Sequence, residues 1–68
     1  MKIKIEYIGF QKKSEIVEIE EGKRYYDLLK KLNINPETVV LVKNGLPVPI
    51  DDRIEEGNVK IIRVISGG

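Results

Sequence analysis

The stretch GKRYYDLLKKLN at residues 22–33 is where the hydrophobic pattern changes from the period of a strand to that of a helix. Apolar residues recur there at positions i, i+3, i+4 and i+7, the spacing of one stripe along a helix. The members of this stripe are Tyr25, Leu28, Leu29 and Leu32. Asn33, with Pro36 shortly after it, ends the helix. The pattern therefore predicts one amphipathic helix with a single apolar face to bury.

Two strands are predicted on the N-terminal side of this helix. Residues 2–7, KIKIEY, alternate strictly between polar and apolar, which is typical of a strand with one buried face. Residues 17–20, VEIE, alternate in the same way. The polar segment at residues 9–14 is a short link between them, so the two strands are predicted to form a hairpin.

Three more strands are predicted after the helix. Residues 39–42, VVLV, run into Asn44-Gly45, a strong two-residue turn signal. Residues 46–49, LPVP, can form only a short edge strand, because proline has no N–H to donate to a central ladder. A turn-rich connection over residues 51–58 then leads to the last strand, residues 59–65.

The element order is therefore β-β-α-β-β-β, which predicts a two-layer α+β domain with a mixed sheet packed on one main helix. At this length the order is that of the β-grasp, or ubiquitin-like, fold. We expect a single domain over residues 1–68 with a flexible C-terminal tail at residues 66–68. The residues expected in the core are Ile3, Ile5, Val17, Ile19, Leu28, Leu29, Leu32, Leu41, Ile54 and Ile61.

The third and the last predicted strands are apolar on both faces, although one helix can cover only one side of a sheet. Matching to the β-grasp fold places one apolar set under the helix, namely Val39, Leu41, Val59 and Ile61. The other set is predicted to face outward, namely Val40, Val42, Ile62 and Val64. Exposed aliphatic surface usually marks a partner site, and Arg63, Ile65 and Ser66 complete the predicted partner-binding residues. The alternative is that a loop covers the outward set.

Composition excludes several function classes. The 68 residues include no Cys and no His, which removes disulfides, thiolate metal sites and the commonest general base. The 12 basic and 11 acidic residues leave a net charge of +1, so no global charge favours nucleic acid or an anionic membrane. The sequence contains neither an apolar run of transmembrane length nor a signal peptide. We therefore expect a cytoplasmic protein, monomeric when free, that is not an enzyme and binds no cofactor or metal.

The order and spacing of several short segments resemble the ThiS/MoaD sulfur carriers and the archaeal small modifier proteins akin to them. These segments are EG at 21–22, YDLL at 26–29, VVLV at 39–42, NG at 44–45, VP at 48–49, EGN at 56–58 and IIRVISGG at 61–68. The resemblance covers essentially the whole chain, and the ISGG ending favours the archaeal type. Two residues depart from the family pattern: Arg24 replaces a helix-capping Thr, and Asn58 replaces Asp.

The resemblance implies chemistry at the C-terminal carboxylate of Gly68 rather than at a side chain. A ubiquitin-activating-like enzyme would use ATP to make the Gly68 acyl-adenylate, and a sulfur donor would convert it to a thiocarboxylate. Gly67 and Gly68 suit this role, because residues without a Cβ can enter a narrow channel and leave the carbonyl open to attack.

The acceptor of the activated group stays open at this point. The resemblance implies a thiazole synthase or molybdopterin synthase-type acceptor, tRNA thiolation, or isopeptide conjugation to lysines of target proteins. The alternative from a different class is a non-catalytic β-grasp module that binds protein or RNA.

Overall fold

The computed structural model describes residues 1–65, and the predicted tail at residues 66–68 lies outside the described residues. The structure is a five-stranded mixed sheet with one α-helix, so the predicted α+β, β-grasp class is confirmed. Its elements are β1 (Lys2–Ile8), β2 (Ser14–Glu18), α1 (Tyr25–Lys31), a 3-10 turn (Pro36–Thr38), β3 (Val39–Lys43), β4 (Leu46–Pro47) and β5 (Gly57–Arg63). Over residues 1–65, no helix combines the length and the hydropathy that crossing a membrane requires.

The sheet has the strand order β2-β1-β5-β3-β4, with the first and last strands of the chain paired in parallel at its centre. The predicted β1–β2 hairpin is antiparallel, as are the β3–β4 and β3–β5 pairs. Asn44 and Gly45 make the β3–β4 turn with φ angles of 54° and 79°. Two consecutive positive φ angles define a type I′ turn, the turn that the Asn-Gly pair predicted.

The bounds of β2, β4 and β5 differ from the sequence prediction, because pairing with neighbouring strands determines where each strand begins and ends. β2 begins at Ser14 rather than Val17, because Ser14 lies opposite Glu6 of β1. β4 is only two residues long and forms one edge of the sheet. β5 begins at Gly57 and ends at Arg63, so Val64 and Ile65 lie beyond the last strand.

The core lies between the helix and the sheet. Eight of the residues predicted to be in it are buried: Ile3, Ile5, Ile19, Leu28, Leu29, Leu41, Ile54 and Ile61. Tyr25, Val39 and Val59 are buried with them. Two core predictions were wrong, since Val17 and Leu32 are only partly buried. Val17 lies on the edge strand β2 and Leu32 at the end of α1, where neighbours are missing on one side.

Both ends of α1 are closed by local hydrogen bonds. At the N-terminus, the Asp27 carboxylate accepts a hydrogen bond from the Arg24 backbone N–H at 2.9 Å. Asn33 has a φ of 58°, and the N–H of Ile34 donates to the Leu29 carbonyl at 2.9 Å. This bond, with that from the Asn33 N–H to the Lys30 carbonyl, forms a Schellman motif. The helix therefore begins without the Thr cap that Arg24 replaces and ends where Asn33 predicted.

Leu29→Ala should lower the free energy of unfolding by about 2–5 kcal/mol, because it leaves a cavity in a core that cannot collapse fully. The Leu29 side chain is 0% exposed. The measurement is urea denaturation followed by circular dichroism. Leu46→Ala is the matched control, since Leu46 is 67% exposed and should cost within about 0.5 kcal/mol. Equal losses in the two variants would contradict the assigned core.

Candidate functional site

The face of the sheet opposite the helix is apolar at one end. Ile62 is in register with Ile8 of β1 on one side and with Val40 of β3 on the other. Alternation along β3 places Val42 on this same face, two residues from Val40. Val64 follows Ile62 by two residues, just beyond the end of β5, and its side chain is also exposed. We call these five residues the outer apolar patch.

The outer apolar patch is open to solvent. Val40, Ile8 and Val64 are 40%, 46% and 55% exposed, while Val42 and Ile62 are partly buried. The four residues predicted to face outward therefore lie together, and no loop among residues 1–65 buries them. Their role in binding stays a prediction.

Ile8 is the member of the patch that the sequence analysis missed. The alternation of β1 places Ile8 on the face opposite Ile3 and Ile5, which was a usable signal. The same alternation also places Lys2 and Lys4 on that face, so it gave no reason to expect an apolar surface there. Only the parallel register of β1 and β5 shows that Ile8 lies beside Ile62.

Away from this end the same face of the sheet becomes polar. Glu6 and Lys60 are in register in the row that contains Val42. Lys4 and Asn58 follow in the next row. Ile16 of β2 is an exposed apolar side chain in that row, but it is separated from the outer apolar patch, which lies at the end of the sheet where the chain leaves β5.

The last described residues are attached to the segment that precedes β3. The Thr38 carbonyl accepts hydrogen bonds from the backbone N–H of Val64 at 2.9 Å and from that of Ile65 at 3.3 Å. Ile65 itself is 57% exposed. The predicted residues Ser66, Gly67 and Gly68 follow directly in the sequence and lie outside the described residues.

Arg63 does not join the outer apolar patch. Alternation along β5 places its side chain on the helix side of the sheet, opposite to Ile62. There the Arg63 guanidinium carbon lies 4.3 Å from the centre of the Phe10 ring. The Phe10 ring in turn meets the Tyr7 ring edge to face, with centroids 5.1 Å apart. The predicted partner-binding set is therefore divided between two faces of the sheet.

The Tyr7 ring of this stack is also held by a hydrogen bond from its hydroxyl group. The Tyr7 hydroxyl donates to one oxygen of the Glu15 carboxylate at 2.5 Å, and the Lys12 ammonium lies 3.2 Å from the other oxygen. Burial, followed by the Glu15 carboxylate, raises the pKa of Tyr7 well above its ordinary value. The hydrogen bond from Tyr7, with help from Lys12, lowers the pKa of Glu15 below its ordinary value of 4.5.

A family model for small archaeal modifier protein 2 matches residues 1–65. The chain belongs to the small archaeal modifier protein 2 family. The resemblance found in the sequence is thereby confirmed. The match to the family model ends at residue 65, whereas two of the alignments with relatives cover all 68 residues.

Three relatives show how far the similarity extends. A protein of Archaeoglobus fulgidus is 56% identical over 68 residues, with 100% of both chains covered. Small archaeal modifier protein 2 of Haloferax volcanii is 34% identical over 68 residues, also with 100% of both chains covered. The sulfur carrier protein TtuB of Thermus thermophilus is 34% identical over 53 residues, covering 76% of this chain and 82% of the relative.

Acid should destabilise the protein partly through Glu15. The pKa of Glu15 is lower in the folded state than in the unfolded state, so the ionised carboxylate stabilises the fold. This stabilisation is complete above about pH 4.5 and is lost as the pH falls through the folded-state pKa. Glu15→Gln should therefore reduce the difference in unfolding free energy between pH 7 and pH 3, as measured by urea denaturation. Tyr7→Phe, which removes the hydrogen-bond donor, should also reduce this difference in unfolding free energy. An unchanged pH dependence in both variants would show that this hydrogen bond does not favour the ionised carboxylate.

Proposed function

We propose that this chain is a ubiquitin-like carrier, activated at the Gly68 carboxylate by an ATP-dependent adenylating enzyme of the ubiquitin-activating type. The main supporting observation is the position of the outer apolar patch at the end of the sheet where the chain runs on to Gly67 and Gly68. An enzyme bound to the patch would have the C-terminal residues next to it. The names of the Haloferax and Thermus relatives, a modifier and a sulfur carrier, support the same role.

The proposed reaction has two steps. A Gly68 carboxylate oxygen attacks the α-phosphorus of ATP, which releases pyrophosphate and leaves a mixed anhydride with AMP. Hydrosulfide then attacks the acyl carbon and AMP leaves, which gives the thiocarboxylate. If a persulfide of the sulfur donor attacks instead, AMP leaves and an acyl disulfide forms; a thiol then cleaves its S–S bond, releasing the thiocarboxylate and forming a disulfide with the donor sulfur. A lysine amine attacking the same carbon gives an isopeptide and releases a proton. Since the chain has no Cys and no His, we propose that the partner supplies the groups that promote these steps.

The attachment of Ile65 limits how far the reacting carboxylate can reach. Three residues follow Ile65, and three residues span at most about 10 Å at ~3.3 Å per residue. An activating enzyme that leaves the Thr38 hydrogen bonds intact must therefore place ATP within about this distance of the β5 exit. Close approach of this kind needs contact with the surface around the exit, which the outer apolar patch supplies.

We propose a cytoplasmic location and a monomeric free state for this carrier. The sulfur would pass to thiamine or molybdopterin synthesis or to tRNA thiolation, and the isopeptide would form on lysines of target proteins. Intact-mass measurement of the protein after expression with its activating enzyme separates sulfur transfer from conjugation. A thiocarboxylate shows the mass difference between sulfur and oxygen at the C-terminus, whereas conjugation produces a covalent adduct.

Deleting Gly68 should abolish activation while leaving the fold intact. The deletion withdraws the carboxylate by about 3.3 Å, and misplacement by even ~1 Å can cost about a hundredfold in rate. The assay is ATP–pyrophosphate exchange with the activating enzyme of the source organism, and circular dichroism checks the fold. Gly67→Val keeps the chain length but adds a β-branched side chain, and it should also impair exchange. Equal exchange rates for the full-length and truncated proteins would show that Gly68 is not the activated group, and no exchange with either protein would favour the binding-module alternative.

Val40→Asp and Val64→Asp should each weaken association with the activating enzyme by about tenfold or more, as expected for central interface residues. Both side chains are well exposed, so the melting temperature should stay nearly unchanged. Ile16→Asp is the matched control, because Ile16 is 67% exposed and lies on the same face in the row of Lys4. Binding measured by calorimetry should change little in that variant.

The comparison between patch and control decides this prediction. If Ile16→Asp weakens binding as much as the patch variants, or the patch variants bind normally, the outer apolar patch is not the docking surface. Val42 and Ile62 are less suitable for this test, because partial burial would mix lost stability with lost binding.

A further inference from the structure

The chain is held on the β3 side of its exit from β5 by one acceptor. The N–H groups of Val64 and Ile65 share the Thr38 carbonyl, at 2.9 and 3.3 Å. A single shared acceptor restrains these two N–H groups at one point only, beyond the last ladder pair of Val39 with Arg63. A second restraint is needed to fix the direction in which the chain continues.

The β1 side of the exit supplies a contact of a different kind. The parallel ladder between β1 and β5 ends at the Ile8–Ile62 pair, and Gly9 then turns the chain with a φ of +87°. A Cβ at Gly9 would lie only 3.0 Å from the Arg63 Cβ, so the two backbones approach closely. Phe10 follows, and the Arg63 guanidinium lies over its ring at 4.3 Å. Beyond the last pair of the ladder, Gly9 and Phe10 therefore pack against Arg63.

The Phe10 ring is itself held in place. It meets Tyr7 edge to face at an interplanar angle of 61°, and the Tyr7 hydroxyl donates to Glu15 of β2. Phe10 also packs against the hydrophobic core. A ring fixed by two strands and the core is a rigid support for the Arg63 side chain.

We infer that Phe10 is a positioning residue for activation: through Arg63 it fixes the direction in which the chain leaves β5 toward Gly68. This inference rests on the proposed function. Loss of the ring leaves the outer apolar patch on the opposite face unchanged but removes the packing that restrains Arg63, so the direction of Val64 and Ile65 varies more. The enzyme then binds the carrier as before and finds the carboxylate in its reactive position less often.

The test compares Phe10→Leu and Arg63→Met with the unsubstituted protein in ATP–pyrophosphate exchange at varied carrier concentration. Each variant should lower kcat about two- to fivefold, the range expected for a cation–π contact at an exposed site. The KM for the carrier should not change in Phe10→Leu, because docking through the patch is retained; Arg63→Met is compared on kcat alone, since Arg63 is itself a predicted partner-binding residue. The double variant should be no slower than either single variant, since both remove the same contact.

Phe10→Trp is the rescue variant. Tryptophan keeps an aromatic face for the guanidinium and is the best partner for a cation, so kcat should return to the original value. The chain has no other tryptophan, which makes the new indole a specific probe. Adding Arg63→Met to this variant should increase the quenching of indole fluorescence by acrylamide. Effects on KM instead of kcat in Phe10→Leu, multiplicative effects in the double variant, or no effect at all would each overturn the inference.

A measurement on the free protein separates this inference from the proposed function. Amide hydrogen exchange at Val64 and Ile65 should become about two- to fivefold faster in Phe10→Leu and Arg63→Met, because the exit is less restrained. Exchange at Ile61 in the centre of β5 should not change. If the original chain is not adenylated, the proposed function is wrong, but the amide hydrogen-exchange rates still show whether Phe10 and Arg63 restrain Val64 and Ile65. Unchanged exchange at Val64 and Ile65 would overturn the positioning role whatever the enzyme assay shows.

Discussion

A single seven-residue helix has to cover one whole face of a five-stranded sheet, and the rest of the structure depends on how it does so. Tyr25, Leu28 and Leu29 are almost completely buried, so the apolar stripe of α1 is used on the inner face. No second helix among residues 1–65 covers the outer face. The character of that face therefore follows from the strand sequences alone, and where β3 and β5 are apolar on both sides, an exposed patch results.

This division gives the two faces of the sheet different surfaces at the point where the chain leaves β5. The outer face offers aliphatic side chains at the end of β5, while the inner face places Phe10 and Arg63 against the same end. With a net charge of +1, the protein has little long-range field to attract a partner. Association through aliphatic contact depends on shape and on displaced water, and it is less sensitive to salt than association between opposite charges.

The sequence alone predicted the features that depend on residues close to one another in the chain. The spacing of Tyr25, Leu28 and Leu29 predicted the helix, Asn44-Gly45 predicted the turn, and Asn33 predicted the end of the helix. What the sequence could not show depends on which strands are neighbours. Ile8 joins the patch only because β1 lies in parallel register beside β5. Alternation along β5 alone puts Arg63 on the helix side, but the ring of Phe10 that it meets there comes from another part of the chain.

The pairing of the first strand with the last has a consequence for how the protein is made. β1 is synthesised first, yet its central partner β5 is synthesised almost last, so the middle of the sheet cannot assemble until nearly the whole chain is available. Contacts between such distant segments also make folding slower than local contacts would. A chain that stops before β5 lacks Ile62, the centre of the patch, as well as the route to Gly68. An enzyme that recognises the assembled patch would thereby select finished, folded molecules over nascent ones.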